Sequence, residues 1–120
     1  MAVTASQIIR RALRILTVLD SQTAMDANDA QDALETLNAV LAEWHEAGMG
    51  LPDYSFTGLT DTLASDAADR EAIAYELALR LAPEYGRSIP PEAAAVGRSA
   101  LFRLRSRYLS VSHPVPSVYY

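Results

Sequence analysis

The sequence predicts an all-α fold, namely a four-helix, bundle-like domain with a long loop between helices 2 and 3 and an extended C-terminal tail. Apolar residues recur at steps of three and four in four separate stretches of the 120-residue chain, and this spacing lines up one face of an α-helix. Half of the residues are hydrophobic, yet only 8% are aromatic, and alanine supplies many of the others. Such a composition suits helices that pack closely on small side chains.

The length of the chain predicts a single folded domain. We place the helical domain at residues 1–110 and a docking tail at residues 111–120. No stretch approaches the roughly 20 apolar residues of a membrane span, and the arginines near the N-terminus lie inside the apolar pattern rather than before it, unlike those of a signal peptide. The absence of cysteine excludes disulfides and thiolate metal sites.

Helix 1 is predicted to begin after Thr4 and to run to about Val18. Thr4 and Gln7 have the spacing of a capping box, in which each side chain accepts from the other residue's backbone N–H. Three arginines form a basic face. The simpler interpretation of this face is a solvated surface, and the alternative is a subunit interface. The three arginines are Arg10, Arg11 and Arg14, and the apolar face comprises Ile8, Ile9, Ala12, Leu13, Ile15 and Leu16.

Helix 2, from Asp26 to Gly48, has the clearest pattern in the chain. Asp26 is placed to cap the first turn, and Gly48 falls where a left-handed closing residue is needed. A helix with one apolar face is not stable alone, so the rest of the chain must cover it. The face comprises Ala30, Ala33, Leu34, Leu37, Val40, Leu41 and Trp44.

The connection between helices 2 and 3 spans some seventeen residues, from Gly48 to about Ser65, whereas about two to eight are usual in bundles. Glycine, proline and the alternation around Tyr54 and Phe56 interrupt the helical pattern there. Long ordered loops in small domains are often interaction surfaces. Tyr54 and Phe56 are therefore candidates for a subunit interface, or else they close the end of the bundle core.

Helix 3 is expected from about Asp66 to Ala82, with Ser65 or Asp66 as its cap. Pro83 is expected to stop it, because the residue before a proline is disfavoured in helical geometry. The apolar stripe of this helix comprises Ile73, Leu77 and Leu81, flanked by Ala74 and Ala78.

Helix 4 is predicted to start at Pro90–Pro91, since the first turn does not need the missing amide, and to end near Leu109. Small residues at 93, 97 and 100 would allow a neighbouring helix to approach closely. Four arginines project mostly away from the apolar face. These are Arg98, Arg103, Arg105 and Arg107, and the apolar face comprises Ala93, Val96, Gly97, Ala100, Leu101, Leu104 and Tyr108.

Charge is distributed very unevenly along the chain. Residues 1–19 carry +3, residues 20–76 carry −12 and residues 77–120 carry +4, within a net charge of −5. Every basic residue is arginine, whose rigid fork of donors suits bidentate contacts with carboxylates. Pairing between helices of one chain is the simplest interpretation of this division, and a basic surface for DNA is disfavoured by the overall acidity.

The last ten residues differ from the rest of the chain. Two prolines predict extended geometry, yet the segment is apolar and aromatic, unlike a solvated disordered end. An extended apolar strand suits docking into a groove or sheet edge of another chain, and folding back onto its own bundle is the alternative. The candidate docking residues are Val111, His113, Pro114, Val115, Pro116, Val118, Tyr119 and Tyr120.

The sequence offers little for catalysis. His45 and His113 are far apart and lack metal-ligand spacing with another residue, and no nucleophile motif or phosphate-binding glycine loop is present. Glu43 and Glu46 are the acids that a hydrolase would use. Acidic residues along a helix are more often a solvated face, so we expect no catalytic residue, no metal and no cofactor.

Three segments taken together resemble a known family. They are the Leu-rich helix ending in Glu43–Gly48, the helix that runs into Leu81–Gly86, and the Arg-rich last helix that reaches Leu104. In this order and spacing they resemble the head-to-tail adaptors (connectors) of tailed bacteriophages, the P22-like packaged-DNA stabilisation or tail accessory family. The opening Ala12–Leu16 is similar to the first helix of that family, and the resemblance covers residues 4 to about 109.

The resemblance implies a non-enzymatic protein of the virion neck, made in the bacterial cytoplasm. Copies would form a ring, commonly of twelve subunits, beneath the portal protein. The ring would continue the DNA channel without sequence-specific contact and offer a platform to the downstream tail or nozzle protein, with no membrane involved. In this setting the tail would hold the portal, and the arginines of helices 1 and 4 would meet acidic helices of the next subunit.

Other functions remain open from the sequence. A generic helical protein-interaction module has the same composition and the same features. A DNA-binding module would use the arginines of helices 1 and 4 on phosphates and would bind with a steep salt dependence. A small helical hydrolase would lose its activity, but not its fold, on replacement of Glu43 or Glu46.

Overall fold

Four α-helices make up the regular structure of the residues that the structure describes. A computed structural model describes residues 3–17, 25–49, 51, 55–63 and 69–109. Within these ranges α1 is Ala5–Ile15, α2 is Ala27–Glu46, α3 is Arg70–Tyr85 and α4 is Pro91–Leu109. The described residues form no strand, only one isolated antiparallel bridge between Thr4 and Thr62. The predicted all-α fold is confirmed.

α3 is the central helix, because it packs against each of the other three. The sequence predicted one apolar stripe on α3, but Ala72 and Tyr75 are buried in addition to that stripe. Two contacts show that α4 runs antiparallel to α3: Asp69 meets Arg107 and Tyr108, and Tyr75 lies against Gly97. The predicted apolar face of α2 is buried at all seven positions, as is the predicted face of α1.

The N-terminus of α1 leaves no amide of its first turn without an acceptor. Thr4 and Gln7 form the predicted capping box, with bonds of 2.9 and 3.2 Å. The amides of Ala5 and Ser6 donate to loop carbonyls, those of Asp61 and Leu59, each at 2.9 Å. The first-turn amides of a helix have no partner within it, so the long loop supplies the acceptors that α1 lacks.

The predicted ends of α2 are also confirmed. The Asp26 carboxylate accepts from the amides of Asn28 and Asp29 at 3.1 and 3.2 Å. Gly48 has a φ of +91°, and the next amide, of Met49, reaches back to the Trp44 carbonyl at 3.1 Å. This pattern is a Schellman motif, which satisfies the last carbonyls of a helix and needs a left-handed residue at the position of Gly48.

The expectation that Pro83 ends helix 3 was wrong. α3 continues through Pro83 to Tyr85 and closes on Gly86, whose φ is +63°. A proline within a helix removes one hydrogen bond, but here it lies in the last turn, where the Arg87 amide bonds the Ala82 carbonyl at 3.1 Å and closes the end. The start of α3 is at Arg70, and the proposed caps at positions 65 and 66 lie outside the described residues.

The close approach predicted from the small residues of helix 4 is found at Gly97. A Cβ built on Gly97 would overlap the ring of Tyr75. Tyr75 is only 4% exposed, so its ring is enclosed by the packing of the two helices and a displacement would disturb that packing. The absence of a side chain at Gly97 therefore sets the distance between α3 and α4.

Residues 55–63 of the long loop are held in place by side chains of α2 and of the loop itself. Asn38 of α2 donates to the Phe56 carbonyl at 2.8 Å and accepts from the Phe56 amide at 2.7 Å. The carboxylate of Asp61 accepts from the side chain and amide of Thr57, both at 2.7 Å. These bonds, the Thr57 hydroxyl first, hold the pKa of Asp61 below its usual value.

Candidate interaction surfaces

A basic surface runs along α1 and the start of α3. It lines a depression of about 410 Å³. One of its arginines, Arg11, is engaged within the chain, since it donates to Glu71 of α3 at 2.8 and 3.2 Å. The surface thus keeps an excess of positive charge around one carboxylate. The depression is lined by Gln7, Arg10, Arg11, Arg14, Arg70 and Glu71.

The four arginines of α4 divide into two roles. Arg98, Arg103 and Arg105 lie on the exposed side of the helix. Arg107 instead forms an ion pair with Asp69, which is fully buried. Tyr108 donates to the other carboxylate oxygen of Asp69 at 2.8 Å. Arg107 therefore serves the fold in this structure, whereas the other three arginines have exposed side chains.

An apolar groove between α3 and α4 carries the most exposed large hydrophobic residue that the structure describes. Phe102 is 72% exposed and Leu79 across the groove is 43% exposed. Arg98 and Arg105 lie one turn to either side of Phe102 and line the same groove, whose volume is about 420 Å³. Sequence reasoning missed Phe102, although an aromatic residue placed between arginines, off the apolar face, was a usable signal.

An acidic surface covers the solvent side of α2. Near the start of the helix it approaches Tyr85 of α3, whose pKa is raised first by burial and then by carboxylates, led by Asp29 and Glu84. α2 and α4 each pack on α3, and neither packs extensively on the other. The exposed acids of α2 are Asp29, Asp32, Glu35, Glu43 and Glu46.

Comparison with known protein families identifies the family of this chain. The family model of the P22 tail accessory factor matches residues 1–112, which include all four helices. The chain belongs to the P22 tail accessory factor family. No curated protein matches the chain. As a tail accessory factor, it has a structural role in a phage tail, is associated with the virion and interacts with other phage structural proteins.

One acid that a hydrolase would need is already engaged in this tail accessory factor. Glu43 accepts two hydrogen bonds from Arg80 of α3, at 2.8 and 2.9 Å, and Arg80 also donates to Glu76 at 3.1 Å. The bonds from Arg80 lower the pKa of Glu43. A general acid needs the opposite shift, so the geometry assigns Glu43 to holding α2 against α3.

The long loop and the C-terminal tail carry the other predicted interface residues of the tail accessory factor. Phe56 is 4% exposed and lies in the core. This position fits the interpretation that Phe56 closes the end of the bundle, and it leaves almost none of the side chain exposed to a neighbour. Tyr54 and all of the tail from Val111 to Tyr120 lie outside the described residues. Among the described residues no cluster of metal-ligating side chains occurs, and none of their helices is long and apolar enough to cross a bilayer.

Proposed function

We propose that the chain is the head-to-tail adaptor of a tailed phage, forming a ring under the portal protein that extends the DNA channel and offers a platform to the tail. The observation that carries the proposal is the pair of unlike surfaces on α2 and α4, the two helices that each pack on α3. α2 presents carboxylates, and α4 presents Arg98, Arg103 and Arg105. Family membership supplies the virion setting in which such surfaces would be used.

Unlike surfaces favour a ring over a two-fold dimer. A two-fold contact pairs one patch with itself, whereas a head-to-tail contact joins two different patches and closes into a ring when the rotation allows. Two acidic α2 faces would repel each other, as would two α4 faces. Charge complementarity therefore favours α2 of one copy against a basic surface of the next, which also guides the encounter.

The charge balance also suits a channel through which DNA passes. Phosphate neutralisation by arginine and lysine is what holds DNA on a protein. With a net charge of −5 and no lysine, a ring of such subunits would repel the phosphates rather than grip them. The basic surface of α1 would then be covered by the neighbouring subunit or by the portal.

The adaptor proposal is tested by native mass spectrometry of the protein, alone and mixed with the purified portal ring of the same phage. We expect a discrete complex with one adaptor chain for each portal chain. If the mass of the portal does not change, the adaptor proposal is wrong.

The four arginines around the α1 depression favour DNA as the second candidate partner. Binding to duplex DNA that weakens steeply with salt would then support that function.

The tail gives a second expectation. A protein truncated after Leu109 should keep its helical circular dichroism spectrum but lose at least about tenfold in portal affinity, since extended apolar segments bind as added strands or in grooves. Affinity is measured by surface plasmon resonance on immobilised portal. A full-length control with Ser112→Ala and Ser117→Ala should bind like the wild type. Unchanged affinity of the truncated protein would remove the tail from the interface.

A further inference from the structure

The exposed apolar groove of α4 has a central side chain with charge on both sides. Phe102 is 72% exposed, and Arg98 and Arg105 precede and follow it by four and three residues, which places all three on one side of the helix. Contiguous exposed apolar surface rimmed by polar residues marks protein interaction sites, and Phe102 shares its groove with Leu79 and Leu101. The shape is a protruding ring between two guanidinium groups.

The solvent face of α2 carries the complementary arrangement. Ala39 and Ala42 are exposed, and Glu35 and Glu46 lie beyond them along the same side of the helix. Steps of four, three and four residues keep all four on one stripe. A depression of about 480 Å³ lies beside Ala42 and is lined by Glu43 and Glu46. The stripe thus has two small apolar side chains between two carboxylates.

The two stripes are opposite in charge, and the difference in their lengths is small enough for long side chains to span. At a rise of about 1.5 Å per residue, Glu35 and Glu46 are separated by about 16 Å along α2, and Arg98 and Arg105 by about 10 Å along α4. The long side chains of arginine and glutamate span the difference. Glu43 is not needed as a partner, because its carboxylate already accepts both bonds from Arg80.

The two stripes do not meet within one chain, because α2 and α4 pack on α3 rather than extensively on each other. We infer that α4 of one copy docks on α2 of the next. The Phe102 ring then lies against Ala39 and Ala42. Arg98 and Arg105 pair with Glu35 and Glu46. The occupant of the groove is thus a second copy of this chain. The inference rests on the proposed ring and identifies the contact that closes it.

The test uses the fact that the chain has no cysteine. One cysteine replaces Ala39 within the contact on α2 and the other replaces Ser99 beside the contact on α4, so that Phe102 and its charged neighbours stay in place. The double variant is treated with a short bis-maleimide, with and without the portal ring. A control carries Ala39→Cys and Thr60→Cys, the second position being exposed in the loop. We expect a ladder of cross-linked oligomers for the first variant, at least about tenfold more than for the control.

A charge exchange in the cross-linking variant tests whether the ion pairs hold the same contact. Arg105→Glu in the cysteine variant should abolish the ladder, and adding Glu46→Arg should restore it. If the wild type forms a ring on the portal but the α2–α4 pair gives no ladder, another partner covers Phe102, and this inference fails while the adaptor proposal stands. A ladder from free copies without any portal binding supports the contact and overturns the adaptor. Failure of both readouts overturns both.

Discussion

Gly97→Ala is expected to lower the free energy of unfolding by about 2 kcal/mol, although alanine favours a helix over glycine by about 1 kcal/mol. The added Cβ would overlap the Tyr75 ring, and overpacking of a filled core costs about 1–3 kcal/mol or more. Tyr75 is buried against α4, so either the ring leaves its rotamer or α4 moves off α3. Urea unfolding followed by circular dichroism measures the change.

The matched control for Gly97→Ala is Ser99→Ala on the exposed side of the same helix, which should stay within about 0.5 kcal/mol of the wild type. Shortening the ring with Tyr75→Leu in the Gly97→Ala background should recover part of the loss, because the overlap is removed. A Gly97→Ala protein as stable as the wild type would show that the two helices separate at little cost.

Arg107→Ala should destabilise the fold by about 2–3 kcal/mol. Removing one partner of a buried ion pair leaves a charge without compensation and costs about 3–5 kcal/mol when both partners are buried. The Arg107 side chain is 41% exposed while that of Asp69 is fully buried, so water compensates part of the loss. Thermal and urea unfolding both report it.

Arg103→Ala is the control for Arg107→Ala, since it removes an exposed arginine one turn away and should change stability by less than about 0.5 kcal/mol. The double variant Asp69→Asn with Arg107→Ala should lose less than the sum of its single variants, because the amide carries no charge that needs a partner. Strict additivity of the two single effects would contradict a buried ion pair.

Local pattern was sufficient to predict the helices and most of the core. The seven apolar residues of α2 are all buried, because a period near 3.6 specifies the buried face whatever covers it. The caps at Thr4 and Asp26 formed as expected, because a cap depends on a few neighbouring residues. The continuation of α3 through Pro83 was missed. The hydrogen bonds that close the helix around Gly86 outweigh the one hydrogen bond that Pro83 cannot donate in the last turn.

The surfaces were harder to predict, because they depend on contacts between distant segments. An aspartate before a helix is expected to accept from its own first-turn amides, but Asp69 makes no such bond and pairs instead with residues 39 and 38 positions away on α4. Asn38 likewise holds the backbone of Phe56 through two hydrogen bonds, at a position where the Phe56 side chain lies in the core. Periodicity alone placed Phe102 off the apolar face, and it carries no information about which partner covers it.

The ion pair of Asp69 has a mechanical consequence. The tail follows α4 directly, and the last described turn of α4 is tied through Arg107 and Tyr108 to the start of the central helix. A pull on the tail therefore meets this buried pair before α4 can peel away from α3 turn by turn. The load passes into α3 and, through it, into α1 and α2. The end of α4 is therefore held to the start of α3 against tension applied through the residues that follow it.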